Sequence, residues 1–146
     1  MLVGNTGKSQ SLKQTNRMRG LRLQAEELKD TLRDAEAMVE KHKRLVTCAT
    51  KRRDLAVRLA LAFVSRSQRL LAKKKKRPNA WMNKHVCKLE ELEARATIAE
   101  NSLERAELEL ACADMKFEEV VTSMKSVSAK MRMCVLAEKS STFANV

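Results

Sequence analysis

The sequence has very few of the residues that end helices or fill a globular core. Its 146 residues include one proline, three glycines, no tyrosine, three phenylalanines and one tryptophan. A chain with so few turn-forming residues changes direction rarely, and so few aromatic side chains cannot fill a bulky core. Leu, Ala, Glu, Lys and Arg dominate instead. The composition therefore predicts an all-α protein built from long helices with a narrow apolar seam.

Long apolar runs are also missing. The longest, residues 59–64, has six apolar residues, far fewer than the roughly 20 of a membrane-spanning helix. No apolar segment typical of a secretory signal follows Met1. We therefore expect an intracellular protein without membrane contact, in the nucleus or the cytoplasm. Residues 1–25 contain five cations and no acid, which favours a flexible basic arm and leaves a mitochondrial transit peptide as the alternative.

The sequence shows no cluster of metal ligands or catalytic groups. Its four cysteines, at positions 48, 87, 112 and 134, lie far apart, and only His85 and Cys87 form a close couple. Structural zinc sites use pairs of ligands a few residues apart, so we expect reduced thiols, no metal and no cofactor. No nucleophile has a neighbouring base at a useful spacing. We therefore expect a protein that is not an enzyme and has no small-molecule substrate.

The single proline divides the chain into two halves. Proline lacks an amide hydrogen and disfavours helical geometry in the residue before it, so a helix that reaches Lys76 ends by Arg77. Pro78 suits the first turn of a second helix. The sequence thus predicts a flexible basic arm at 1–16, a first helix at 17–76, a corner at 73–79, a second helix at 80–139 and a frayed tail at 140–146.

A seven-residue repeat runs through the first helix. Taking Leu21 as position a, most a residues are apolar, the d residues are mixed, and the e residues widen the apolar stripe. Arg52 and Arg66 fall at position d and His42 falls at position a, so the predicted seam contains polar breaks. For His42, and for His85 in the second helix, we expect a buried or half-buried imidazole whose hydrogen bonds are satisfied.

The second helix carries a cleaner repeat. Taking Met82 as position a, the a and d residues are apolar over eight heptads except at His85, which is typical of coiled coils. Two long helices joined by a short corner fold back most simply as an antiparallel coiled-coil hairpin, here spanning 17–139. Two helices alone bury little surface, so we also expect oligomers or docking on a larger body. The predicted oligomer interface is Leu89, Leu92, Leu103, Leu110, Phe117, Val120 and Met124.

Charge is distributed unevenly along the chain. The formal net charge is +12, and residues 1–78 carry 21 basic and seven acidic side chains, whereas residues 79–146 carry nine and eleven. A surplus of this size implies a polyanionic partner, or an acidic neighbour that it neutralises. Position e of the second helix is acidic in four successive heptads. In an antiparallel hairpin we expect Arg53 to meet Glu100 or Glu107.

Cations concentrate at the corner and along the outer face of the first helix. Five of them are consecutive, and because like charges repel, we favour a functional use over a solvated loop. Cations in such rows bind phosphates without reading bases, and the scarcity of aromatic residues argues against base stacking on single strands. The predicted nucleic-acid-binding residues are Lys73, Lys74, Lys75, Lys76, Arg77, Arg66, Arg69, Lys84 and Lys88 around the corner, and Lys43, Arg44, Lys51 and Arg58 along the first helix.

The sequence therefore favours a non-enzymatic coiled-coil protein that binds RNA or DNA largely independently of base sequence. The alternative is a structural or adaptor subunit of a large protein assembly or filament, in which the same cations contact acidic protein. A steep fall of affinity with salt separates the first interpretation from the second. In both, the helices form an intramolecular hairpin, a domain-swapped dimer or a parallel dimer bent at Pro78.

Overall fold

Two long helices make up the fold of this computed structural model. Helix α1 spans Val3–Ala72 and helix α2 spans Asn79–Ala144. The structure describes the backbone of residues 3–73 and 79–144, and the side chains of residues 12–73 and 79–140. The two helices pack against each other, and the described residues contain no strand. The all-α fold class predicted from the sequence is confirmed.

The helices differ from the predicted elements at their ends. Helix α1 begins at Val3, where the sequence predicts a flexible arm, and α2 continues through the predicted tail to Ala144. No proline interrupts either stretch, and most polar residues lower helix stability by well under about 1 kcal/mol each. Near the predicted corner, α1 ends at Ala72 instead of residue 76. The remaining corner residues, 74–78, lie outside the described residues.

The chain divides into two compact units. Unit 1 comprises Met1–Val39 and Ala113–Val146, and unit 2 comprises Glu40–Cys112. Each unit therefore contains one segment of α1 and one segment of α2. In unit 1, Leu21 of α1 is buried together with Val127 and Cys134 of α2. Partly buried apolar side chains pack around these three residues: Met18, Ala25, Leu28 and Met131.

In unit 2 the two helix segments run in opposite directions. His42 of α1 approaches Glu109 of α2, whereas Phe63, farther along α1, stacks on His85, which lies earlier in α2. Trp81 stacks on the same imidazole, with a ring-centroid distance of 4.8 Å. The contacts within unit 2 therefore show two packed antiparallel helix segments.

The buried side of α2 matches the predicted seam. Its a and d positions are buried or half-buried without interruption from His85 to Cys134. Met82, the first a residue, is 36% exposed, and its neighbour Trp81 takes the half-buried place. The seven-residue repeat read from the sequence thus describes which side of α2 faces α1.

The buried side of α1 differs from the predicted one. Position a is buried or half-buried as expected, but the position that packs beside it is e and not d. Every d residue from Gln24 to Arg66 is exposed, whereas the e residues from Ala25 to Ser67 are half-buried or buried. The prediction that Arg52 and Arg66 break the seam is therefore wrong.

The physical reason for this seam is the cost of burying charge. A seam that used position d would bury Arg52 and Arg66, at several kcal/mol for each unpaired guanidinium. The observed seam leaves apolar d residues such as Leu59 46% exposed, which forgoes only about 1 kcal/mol each. It places Arg53 at a half-buried e position, where its Nε and Nη2 donate to Oδ1 of Asp54 at 3.2 and 3.0 Å.

Candidate nucleic-acid interface

The burial pattern divides the exposed surface of unit 2 into two flanks. On α1, residues at d and g lie on one side of the seam and residues at b and f on the other. On α2, positions g and c lie on one side of the seam, and positions e and b lie on the other. A surface recess shows which side of α1 adjoins which side of α2, because Asp54 and Val57 of α1 line it together with Glu100 of α2. Position e of α2 therefore adjoins positions f and b of α1.

The basic flank comprises positions d and g of α1 and positions g and c of α2 within unit 2, together with Lys73, the residue that follows α1. It carries nine cations and two acids, a formal net charge of +7. The nine cations, all exposed, are Lys41, Arg52, Arg66, Arg69, Lys73, Lys84, Lys88, Arg95 and Arg105. Such an excess of one sign on one side of two helices creates a strong local positive potential.

Both acids of the basic flank lie close to basic side chains. Glu91 Oε1 lies 2.7 Å from Nη2 of Arg95, and its Oε2 lies 3.8 Å from Nζ of Lys88. Glu109 Oε2 lies 3.8 Å from Nδ1 of His42. In the described part of the chain, the other seven cations of this flank have no carboxylate within ion-pair distance. These seven cations therefore remain available to an external anion.

The acidic flank is the opposite side, with positions b and f of α1 and positions e and b of α2 within unit 2. It carries seven acids and one cation, a formal net charge of −6. The acids are Glu40, Asp54, Glu90, Glu93, Glu100, Glu104 and Glu107. The one cation, Lys43, lies 3.6 Å from Oε1 of Glu40. The five glutamates contributed by α2 are exposed and have no cation within ion-pair distance among the described residues.

The predicted pairing of Arg53 with Glu100 or Glu107 does not form. Arg53 and Glu100 line the same recess, but the guanidinium of Arg53 instead bonds the carboxylate of Asp54, the next residue in the chain. The adjacent Asp54 needs less ordering of long side chains than a partner on the other helix. Since this pair is internal to α1, Arg53 does not neutralise Glu100 on the acidic flank.

The predicted binding residues fall into separate places. Lys74, Lys75, Lys76 and Arg77 lie outside the described residues. Arg66, Arg69, Lys73, Lys84 and Lys88 lie on the basic flank, and Arg44, Lys51 and Arg58 lie at position c of α1, directly opposite the seam. Lys43 lies on the acidic flank. The structure therefore brings five of the predicted residues together on one flank and adds an outer stripe of three.

The sequence reasoning missed four cations of the basic flank. The predicted set leaves out Lys41, Arg95 and Arg105, and the predicted seam contains Arg52. The signal for Lys41, Arg95 and Arg105 is their heptad position, g or c, which lies outside the seam. For Arg52 the signal is the choice between d and e as the second seam position of α1. When position e is buried, position d is exposed, and Arg52 therefore lies on the basic flank.

The two histidines differ in their surroundings. The ring of His85 is stacked against Phe63 and Trp81 with centroid distances of 4.6 and 4.8 Å, and all three residues are half-buried. His42 instead has a buried Nδ1 atom without a hydrogen-bond partner among the described residues, so the prediction of a satisfied imidazole is wrong for this atom. The rings of Phe63 and Trp81 are engaged in this stack, as expected for core packing.

The residues predicted for self-association lie on the seam that packs against α1. Leu92 and Leu103 are 6% and 5% exposed, and the other five are half-buried: Leu89, Leu110, Phe117, Val120 and Met124. These side chains already pack against α1 of the same chain. An interface between copies at these positions would require the two helices to separate.

Two general features of the described residues bear on binding. No group of three or more His, Cys, Asp or Glu side chains among them is placed to hold a metal ion. No described helix has an apolar stretch long enough to cross a membrane.

Comparison with family models, curated proteins and solved structures gave no match to this chain.

Proposed function

We propose that this chain is a non-enzymatic coiled-coil hairpin protein that binds nucleic acid largely independently of base sequence. The observation that carries the proposal is the basic flank, with seven exposed cations that have no carboxylate within ion-pair distance among the described residues. A duplex presents about one phosphate charge per 1.7 Å of its axis, and protein cations gain affinity by releasing its counterions. The basic flank is the surface of unit 2 best suited to that partner.

The spacing of the cations supports contacts to a phosphate backbone. Residues seven apart on a helix are separated by a rise of about 10.5 Å. On the basic flank, Arg52 and Arg66 lie two such intervals apart and Lys73 follows Arg66 by one, and the outer stripe repeats at a single interval with Arg44, Lys51 and Arg58. Contacts of this kind fix affinity and orientation without reading bases. Each arginine adds the capacity for two parallel hydrogen bonds to one phosphate.

The consecutive cations of the corner belong to the same proposal. Lys74 to Arg77 follow Lys73 directly in the chain, so four further cations adjoin Lys73 in the sequence. We propose that they add phosphate contacts to those of the flank. Their removal should then lower affinity and salt dependence together, because each cation contributes one released counterion.

A structural or adaptor role is the second candidate, and exposed apolar side chains favour it. In unit 2, Leu55, Leu61 and Leu108 are 59%, 62% and 69% exposed. Burial of these side chains against another protein would contribute about 25 cal/mol per Å² of apolar surface to the contact. In this role the cations would contact acidic protein, and nucleic acid would bind only weakly.

Fluorescence polarisation of labelled duplex RNA, duplex DNA and single strands at several salt concentrations tests the proposal. We expect both duplexes to bind, with log affinity falling linearly with log salt at about −0.9 per B-DNA phosphate contacted. The double variant Arg52→Gln/Arg66→Gln should flatten the DNA slope by about 1.8. The control Lys116→Gln/Lys125→Gln removes the same charge from unit 1 and should leave the slope unchanged.

Two outcomes would reject this proposal. Loss of all binding at physiological salt would favour the adaptor role, since a duplex-binding surface with several phosphate contacts retains affinity there. Equal flattening by both double variants would show that affinity follows total charge and not the basic flank. Far-ultraviolet circular dichroism of each variant checks that the helices are intact.

A further inference from the structure

The acidic flank has no part in the proposed nucleic-acid binding. Its five α2 glutamates are exposed and lack a cation within ion-pair distance in the described part of unit 2. A net charge of −6 along one side of two short helix segments is self-repulsive. Cationic groups placed against this flank would relieve that repulsion, and nucleic acid cannot supply them.

The same unit carries a surface of complementary charge. The basic flank has a formal charge of +7 and the acidic flank −6, and both extend along the same two helix segments. On the acidic flank, Glu93, Glu100 and Glu107 repeat every seven residues. On the basic flank, position d of α1 carries Arg52 and Arg66, which lie fourteen residues apart like Glu93 and Glu107. Because this spacing corresponds to about 21 Å on either helix, two pairs of opposite charges can meet in one register.

Each flank also exposes large apolar side chains among its charges. On the basic flank, Leu55 and Ile98 are 59% and 65% exposed, and on the acidic flank Leu61 and Val86 are 62% and 47% exposed. Burial of apolar surface contributes about 25 cal/mol per Å², which charge pairing on an exposed surface does not match. Apolar side chains surrounded by charged groups are typical of contacts between proteins. Both flanks therefore have the composition of an interface.

We propose that unit 2 self-associates by docking the basic flank of one copy on the acidic flank of a second copy. A two-fold symmetric contact through either flank would place that flank against its own copy, with like charges facing each other, so the contact is heterologous. Each copy offers one flank of each kind, and association therefore continues into a ring or an open chain of copies. The contact needs no nucleic acid and does not rest on the proposed function.

Complementary single-flank variants test this contact in the full chain without nucleic acid. One variant, Arg52→Gln/Arg66→Gln, weakens the basic flank, and the other, Glu93→Gln/Glu100→Gln, weakens the acidic flank. Light scattering and sedimentation velocity should show the unmodified chain above its monomer mass, rising with concentration and falling with salt. Each variant alone should stay near the monomer mass.

The mixture of the two variants gives the sharpest result. The acidic-flank variant keeps an intact basic flank, and the basic-flank variant keeps an intact acidic flank, so an equimolar mixture should form one-to-one pairs and nothing larger. The charge-conserving variant Arg52→Lys/Arg66→Lys should assemble like the unmodified chain. So should Lys116→Gln/Lys125→Gln in unit 1.

Three results would overturn the proposal. An unmodified chain that stays monomeric at every concentration at low salt lacks the contact. A mixture of the two variants that stays monomeric shows that the flanks do not bind each other. Variants that keep the mass of the unmodified chain show that copies associate through another surface, such as the seam of a domain-swapped dimer.

Discussion

The Nδ1 atom of His42 lies 3.8 Å from Oε2 of Glu109 across the two helices of unit 2. This distance is too long for a hydrogen bond, and the buried Nδ1 atom has no other partner in the described part of the chain. A buried polar atom that lacks a hydrogen bond costs about 1–3 kcal/mol. His42 occupies seam position a of α1, where the neighbouring residues are mostly apolar. Its imidazole therefore destabilises the packing between the two helices.

Replacing His42 by leucine should stabilise the protein. We expect His42→Leu to raise the free energy of unfolding by about 1–2 kcal/mol, because an apolar side chain replaces a buried unsatisfied one. Urea unfolding followed by circular dichroism measures the change. The control His85→Leu should lower stability, since it removes two ring contacts worth about 0.5–1.5 kcal/mol each. A His42→Leu variant that is less stable than the unmodified chain would contradict the seam assignment.

Two leucines of α2 that lie five residues apart should respond differently to truncation. Leu103 is 5% exposed at position a, and Leu108 is 69% exposed on the outer side of the helix. Leu103→Ala should cost about 2–4 kcal/mol of unfolding free energy because it removes buried methyl groups. Leu108→Ala should change it by less than about 0.5 kcal/mol. Comparable losses from the two substitutions would show that α2 buries a different side.

Gly20 should be replaceable by alanine with a gain in stability. It lies inside α1, is exposed, and has no atom within 4 Å of the place that a Cβ would occupy. Alanine is more favourable than glycine in a helix interior by about 1 kcal/mol. Thermal unfolding of Gly20→Ala should therefore show a higher midpoint than the unmodified chain. A lower midpoint would mean that α1 is not continuous through residue 20.

The seam of α2 was predictable because only one pair of its heptad positions is consistently apolar. Its a and d residues are apolar almost throughout, whereas position e is acidic at Glu93, Glu100 and Glu107. Helix α1 offers two choices, since apolar residues occur at both d and e. The decision depends on the cost of burying Arg52 and Arg66, which a count of apolar residues does not include.

The candidate surface was predictable only in part for the same reason. Moving the second seam position of α1 from d to e rotates the centre of the buried side by about 50°, because successive residues are about 100° apart. Arg69, at position g, is exposed on either assignment, whereas Arg66, at position d, is exposed only when position e is buried. The observed burial alone shows which cations lie together on the basic flank. It also shows that the acids lie together on the acidic flank. The unsatisfied Nδ1 of His42 has no sequence signal, because it depends on interatomic distances across the seam.

The matched pair Lys41 and Lys43 tests the central claim that the basic flank is the nucleic-acid surface. Both are exposed lysines of α1, two residues apart, but Lys41 lies on the basic flank and Lys43 on the acidic flank beside Glu40. The measurement is the slope of log affinity against log salt for duplex DNA. Lys41→Gln should flatten it by about 0.9, the contribution of one phosphate contact. Lys43→Gln should leave it unchanged, and equal slopes for the two variants, or a larger change for Lys43→Gln, would contradict the account.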